Sequence, residues 1–259
     1  VRRHRLGVAG SVAVLLSAAA LVSFYTWQLS LERDRARAAA ERAEKVAAFL
    51  AGVFSVADPT LNLGKTVTAR ELLDNGARQI ERELAGAPEV QAALMEAMGD
   101  AYRNLGLFAE ARTLQQKALD MRVAAFGADS VEAAQSLARL GGVTGDLGRY
   151  DDAIGHLQRA LSILRSAQPP DRLAIARALR TLAFSQHQAG RDYAEAERTY
   201  LDAIEAAQAA GTAGDAERAR AMAGLGFVLR FIGKLAQARA WLEQALALRI
   251  RTFGDTHPE

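Results

Sequence analysis

The sequence predicts an all-α chain: an N-terminal transmembrane helix, a connecting helix, then an α-α superhelix of stacked hairpins. Three observations carry that expectation. Of 259 residues, 56 are Ala against 7 Ile and 11 Thr, and so few β-branched residues beside so much Ala favour helix over sheet. A block of sequence returns every 42 or 43 residues, within the period range of helical-hairpin arrays. The chain also carries no charge from Leu6 to Leu31, longer than the roughly 20 residues a helix needs to cross a bilayer core.

Composition narrows the function. The absence of Cys excludes a disulfide scaffold and thiolate metal sites. A half-apolar chain with 5 Pro is not a disordered one. The net charge of +2 is uneven: residues 1–45 hold +4 and the remainder −2. No basic footprint covers the fold, so nucleic acid is not an expected partner. The first residue, Val1, and the hydrophilic ending FGDTHPE mark the chain as an expected fragment.

Residues 1–5, with Arg2, Arg3 and Arg5, read as a cytoplasmic juxtamembrane stub, and 6–29 as the transmembrane helix. Phe24, Tyr25 and Trp27 sit at its far end, where aromatic rings favour the membrane interface. The lipid bilayer is therefore an expected partner of 6–29. A cleaved signal peptide with Ala18-Ala19-Ala20 near the cleavage site competes with this reading, but its apolar region would stop about ten residues earlier. A buried soluble helix is the third reading. Arg33, Arg35, Arg37, Arg42 and Lys45 follow the span, so charge alone leaves its orientation open.

Residues 30–65 read as a connecting helix and loop. Val46, Phe49, Leu50, Val53 and Phe54 fall on one helical face, which could dock on the next domain or pair two chains in a homodimer. Asp58-Pro59 ends the helix. In 66–87, Thr68 followed by Glu71 is a capping box that starts a helix running to about Ala85. Gly86 stops it, and Pro88 opens the next helix in its first turn.

The repeats follow. GLFAEA at 106–111, GRYDDA at 148–153, GRDYAEA at 190–196 and GKLAQA at 233–238 align. Their last residues are Ala111, Ala153, Ala196 and Ala238, and seven positions on lie Ala118, Ala160, Ala203 and Ala245. Seven positions before each Gly stands Gly99, Gly141, Ala183 or Gly226. Gly106, Gly148, Gly190 and Gly233 are placed to end a first helix in a left-handed conformation. Phe108, Tyr150, Tyr193 and Leu235 then cover the turn, and the small residues let helices approach closely. Each such hairpin has an apolar face that it cannot bury alone, so hairpins stack.

This pattern resembles the tetratricopeptide repeat, in the long 42-residue variety similar to kinesin-light-chain repeats. The likeness covers 88–259, as four hairpins at 88–129, 130–170, 171–213 and 214–259, with Gly99, Tyr102 and the glycines, tyrosines and alanines above as structural positions. Two residues depart from it: Asp192 is an insertion in the third turn, and Gln115 replaces a large apolar residue, which is expected to loosen the first repeat. Phe253-Gly254 repeats Phe126-Gly127, where a new helix follows at Ser130, so the array is expected to continue beyond 259.

The resemblance extends upstream. The Arg-flanked span, the Arg/Ala/Glu helix, VAAFLAGVFSVADP at 46–59 and GKTVTARELLDNGARQIERELAGAPEVQAAL at 64–94 together resemble the C-terminal half of bacterial membrane-anchored serine/threonine protein kinases with tetratricopeptide tails. The family implies a single-pass protein of the bacterial inner membrane, with a cytoplasmic kinase before the span and the repeats in the periplasm. It implies a sensor or scaffold in signal transduction that binds a protein or peptide. The kinase itself is not in these residues: no Gly-rich loop with a strand Lys, no His-Arg-Asp and no Asp-Phe-Gly occurs. ATP and Mg are expected only for that domain, and no cofactor or catalytic residue is expected here. The alternatives are a membrane-anchored or secreted scaffold or assembly factor without a kinase, and an enzyme whose catalytic domain lies beyond residue 259.

The residues offer no catalytic cluster. His4, His156, His187 and His257 are scattered, so no metal site is expected. Asp151 and Asp152 are adjacent and would point apart as solvated acids. The resemblance instead implies a concave groove lined by first helices. Carried onto this chain, it offers Ala93, Glu96, Asp100, Arg103 and Asn104, then Gln135, Ala138, Gly142, Gly145 and Asp146. Next come Arg177, Arg180, Phe184, His187 and Gln188, and last Arg220, Ala223, Phe227, Arg230 and Phe231. That groove would be acidic at one end, shallow in the middle, and basic with aromatics at the other. In the sharp reading, Arg177, Arg180, Arg220 and Arg230 clamp carboxylates of an acidic peptide, because guanidinium donates two parallel hydrogen bonds. The phenylalanines would take its apolar side chains. In the plain reading, they pack between repeats and the arginines are solvated.

Overall fold

The computed structural model describes residues 21, 23–30, 32–33, 68–84 and 86–254. The chain divides into two units, Val1–Asp58 and Pro59–Glu259. In the first, the described residues are helical, with Leu21, Phe24, Tyr25, Trp27 and Leu29 exposed. The Phe24 and Tyr25 rings meet edge to face at 6.0 Å. Among the described residues, no helix is long and apolar enough to cross a membrane. The stub at 1–5, most of the expected span 6–29, most of the connecting segment 30–65 and the last residues 255–259 lie outside the described residues.

The second unit is all-α among its described residues. Helix α1, Ala69–Glu83, starts on the capping box that the sequence predicts. Thr68 Oγ1 accepts from the Glu71 amide at 3.2 Å, and the Glu71 carboxylate accepts from the Thr68 amide at 2.8 Å. This satisfies two of the amides that a helix start leaves without partners. Helix α2, Pro88–Asn104, begins on the proline and packs on α1, where Ile80 and the C-terminal cap residue Leu84 are buried. The buried Tyr102 reaches back from α2 to donate its hydroxyl proton to Asp74 of α1.

Helix α2 pairs with α3, Phe108–Phe126. Three more pairs follow: α4, Val131–Asp146, with α5, Tyr150–Ser166; α6, Arg172–Ala189, with α7, Tyr193–Ala209; and α8, Asp215–Phe231, with α9, Leu235–Phe253. The turns inside the pairs hold Gly106, Gly148, Gly190 and Gly233 at φ of 74°, 76°, 68° and 84°, a backbone region that a side chain makes costly. Asp192, the insertion in the third turn, caps α7 by accepting from the Ala194 and Glu195 amides at 2.9 and 3.0 Å. Ser130 and Asp171 cap α4 and α6 in the same way.

All eight repeat alanines are buried. The glycines of the first, second and fourth hairpins make room for a side chain from the paired helix. A Cβ on Gly99, Gly141 or Gly226 would stand 2.7, 2.8 or 2.6 Å from Gln115, Leu157 or Leu242. In the third hairpin Ala183 takes the small position, and Tyr200 turns to Gly224 of the next hairpin, where a Cβ would meet its ring at 2.4 Å. Gln115, expected to loosen the first hairpin, has its amide nitrogen bonded while its Oε1 is buried without a hydrogen-bond partner among the described residues. It is buried on Gly99 and its amide donates to the Glu96 carbonyl and to Asp100 Oδ1, both at 3.1 Å.

The inner helices α2, α4, α6 and α8 each touch the next inner helix, while among the described residues the outer helices α3, α5, α7 and α9 do not touch one another. Closer approach on one side curves the stack and makes the inner side concave. The outward side of α9 is bare. Leu161 and Ile204 are buried, but their counterpart Leu246 is 59% exposed. Leu235, expected to cover its turn as Tyr193 does, is also exposed, because no described helix packs against it there.

Candidate peptide groove

The concave side holds a cavity of about 560 Å³ between α2, α4, α6 and α8. Its floor is low where Ala138, Gly142, Ala174 and Ala178 line it. At the α2 end the expected acidic surface is neutralised. Glu96 lies 3.7 Å from Arg122 Nε and 3.8 Å from Arg139 Nε, and Ser136 donates its hydroxyl proton to it. Arg139 also binds Asp100, and Arg103 binds Asp146. Asn104 remains exposed on the cavity wall. The guanidinium of Arg103 lies over Gly142, whose absent Cβ would stand 3.3 Å from Nη1.

At the α8 end the structure brings Arg177, Arg180 and Arg220 together, but around a carboxylate of the protein itself. Arg180 Nε donates to Glu217 Oε2 at 2.8 Å, Arg220 Nη1 to Glu217 Oε1 at 2.9 Å, and Arg177 Nε stands 3.7 Å from Oε1. Glu217 is buried. Burial by itself would raise its pKa, but the guanidiniums of Arg180, Arg220 and Arg177 outweigh it and hold the carboxyl below its ordinary value. An open arginine clamp is therefore not what the fold builds there. Glu217 falls outside the positions that the family resemblance carries over, but it lies three residues before Arg220 on one helix, where side chains meet.

The aromatic residues are neither core nor one cluster. Phe184, Phe227 and Phe231 are 39%, 48% and 57% exposed on inner helices. Phe231 stacks on Tyr193 at 5.8 Å and meets His187 at 5.0 Å, and burial lowers the His187 pKa. Arg230 lies 5.7 Å from the Phe227 ring and 5.6 Å from the Phe231 ring, within cation–π range. Asp151 and Asp152 are exposed, each paired with an arginine, Arg191 or Arg149. Among the described residues, no group of three or more ligating side chains could hold a metal ion.

Comparison of the sequence with known families matches the tetratricopeptide repeat at residues 90–166, 132–209 and 174–251. No curated protein matches the sequence. Several solved structures share the fold. BtubC (BKLC) from P. vanneervenii is 17% identical, with 74% of this chain and 75% of that chain covered and a TM-score of 0.57. The nearly identical TPR-like repeats of a Podosopora anserina kinesin light chain are 19% identical, with 70% and 85% covered and a TM-score of 0.53. A Rap protein in complex with Competence and Sporulation Factor is 18% identical, with 71% of this chain and 50% of that chain covered and a TM-score of 0.60.

Proposed function

We infer the function from the family as premise: the chain belongs to the tetratricopeptide repeat family and is a protein–protein interaction module. We propose that its ligand is an extended acidic segment laid along the inner helices, with apolar side chains at Phe227 and Phe231. The observation that carries this is the exposure of those two rings beside Arg230 on an inner helix. Large exposed aromatics next to Arg are the composition of binding hot spots. A Rap protein of the same fold is solved with Competence and Sporulation Factor bound, which agrees with a groove that accepts a protein or peptide. The test is pulldown with an acidic, Phe-containing peptide, comparing the native chain with Phe227→Ala combined with Arg230→Glu. Neither residue belongs to the Glu217 cluster, so the variant is expected to fold and to lose binding; unchanged binding overturns the reading.

The setting is part of the same proposal. Residues 6–29 cross the bacterial inner membrane once, and the repeats lie in the periplasm. They report through 30–65, by homodimerisation, to a serine/threonine kinase on the cytoplasmic side of the parent polypeptide. The support is the uncharged run behind Arg2, Arg3 and Arg5 and the motif order after it. Protease protection in spheroplasts and the coding sequence before Arg2 test it. Repeats shielded from external protease, or an upstream sequence without kinase motifs, refute it.

A further inference from the structure

We propose that Arg230, alone among the groove arginines, reads the acid of the ligand, and that it takes one carboxylate lying beside an apolar side chain. This rests on the groove reading above and names what the groove selects. Arginine stands at five of the groove positions: 103, 177, 180, 220 and 230. Arg103 binds Asp146, Arg180 and Arg220 bind Glu217, and Arg177 stands 3.7 Å from that same carboxylate. Arg139, on the cavity wall, binds Asp100. Asp171 adds a negative group to this wall, where it caps α6 and accepts from Gln135 at 3.3 Å. A ligand carboxylate that enters the cavity therefore meets like charges already in place, which repel it.

Arg230 is placed differently. Among the described residues it has no carboxylate within 4.0 Å. Its neighbours are the rings of Phe227 and Phe231, at 5.7 and 5.6 Å, and all three side chains are exposed. A guanidinium held against ring faces keeps its in-plane N–H donors, which match a carboxylate two at a time. The charges around it are engaged: Lys234, one turn on, binds Glu197 at 2.8 Å, and Glu195 accepts from Gln186. His187 meets Phe231 at 5.0 Å, and burial lowers its pKa, so it is neutral at pH 7. Cation and rings thus form one surface, and the group that pairs with Arg230 must bring an apolar side chain with it. Two ligand sources share that chemistry. An internal Glu two residues from a Phe puts both on one side of an extended chain. A C-terminal Phe carries both on one residue.

The experiment measures fluorescence anisotropy of three labelled peptides in one Phe-containing frame. The first has an internal Glu and an amidated end, the second has Gln instead and an amidated end, and the third has that Gln and a free C-terminal Phe carboxylate. The native chain is expected to bind one carboxylate peptide about fivefold more tightly than the neutral one, as for a well-placed exposed ion pair. Which one it prefers identifies the source. Arg230→Gln is expected to abolish that preference and Arg177→Gln to keep it. Each preference is a ratio within one protein, so altered ring packing that weakens all three peptides does not imitate the result. A preference that survives in Arg230→Gln, or is lost in Arg177→Gln, overturns the proposal. Equal binding of the three peptides by the native chain overturns it too. If Phe227→Ala weakens that equal binding, the groove reading stands and only this inference falls; if no peptide binds, both fall.

Discussion

Replacing Glu217 with Gln makes a stability prediction whose sign follows from the geometry. The native carboxylate accepts two short bonds from Arg180 and Arg220, and a hydrogen bond to a charged group contributes about 1.5–3 kcal/mol. Taking Glu217 out of water offsets part of that gain, which leaves a net loss of about 2 kcal/mol when the charge is removed. For a chain of this length that is roughly 4–8 °C in Tm. Because the folded pKa is depressed by the guanidiniums, the contribution is complete above the unfolded carboxyl value of about 4.3 and disappears as pH falls through the lower folded value. The assay is thermal unfolding by far-ultraviolet circular dichroism from neutral to acidic pH. Other carboxylates titrate in both proteins, so the quantity of interest is the difference in Tm. It should be several degrees at pH 7 and shrink steadily on acidification below about pH 4. Equal Tm values at pH 7, or a gap that does not depend on pH, refute the reasoning.

Two further predictions use the same assay. Gly155 is an exposed position within α5 where an added Cβ would meet nothing within 4 Å, so Gly155→Ala should stabilise by about 1 kcal/mol through helix propensity alone. Gly214→Ala should do the reverse, because its Cβ would stand 1.9 Å from the Ala207 carbonyl oxygen. Backbone has to move there, for a loss near the upper end of overpacking, about 3 kcal/mol; equal Tm shifts for the two would contradict both packing accounts. Asp192→Ala removes the acceptor for two amides at the start of α7 and should cost about 1 kcal/mol, with urea unfolding as the measure and an unchanged midpoint as the refuting result.

The hairpin array was legible because its determinants are local. Gly106 and Gly190 mark turns through their own backbone, and Ala111 and Ala118 mark packing by recurring at fixed spacing. The pairing of charges was not legible, because it depends on how far one inner helix is offset from the next. Arg103 finds Asp146 and Arg180 finds Glu217 across hairpins, at separations of 43 and 37 residues. The repeat period approximates the first separation, but nothing in the sequence marks the second as a contact. Gln115 illustrates the same limit. By itself it is a polar residue at an apolar position, and only the missing side chain of Gly99 and the acceptor on Asp100 make it fit. The carried-over groove positions named Arg177, Arg180 and Arg220 but not the residue that holds them.

The contacts between hairpins have a mechanical consequence. Inner helices touch and are laced by ion pairs, and each outer helix packs on the inner helix of the next hairpin, whereas the described outer helices do not touch one another. Such a stack is riveted through its middle and tied along its inner edge. Sliding one hairpin past the next meets packed apolar side chains, while splaying the inner edge also requires separating Arg103 from Asp146 and Arg180 from Glu217. Both pairs span adjacent inner helices and re-form without refolding any hairpin, so they add to the resistance that the apolar packing supplies.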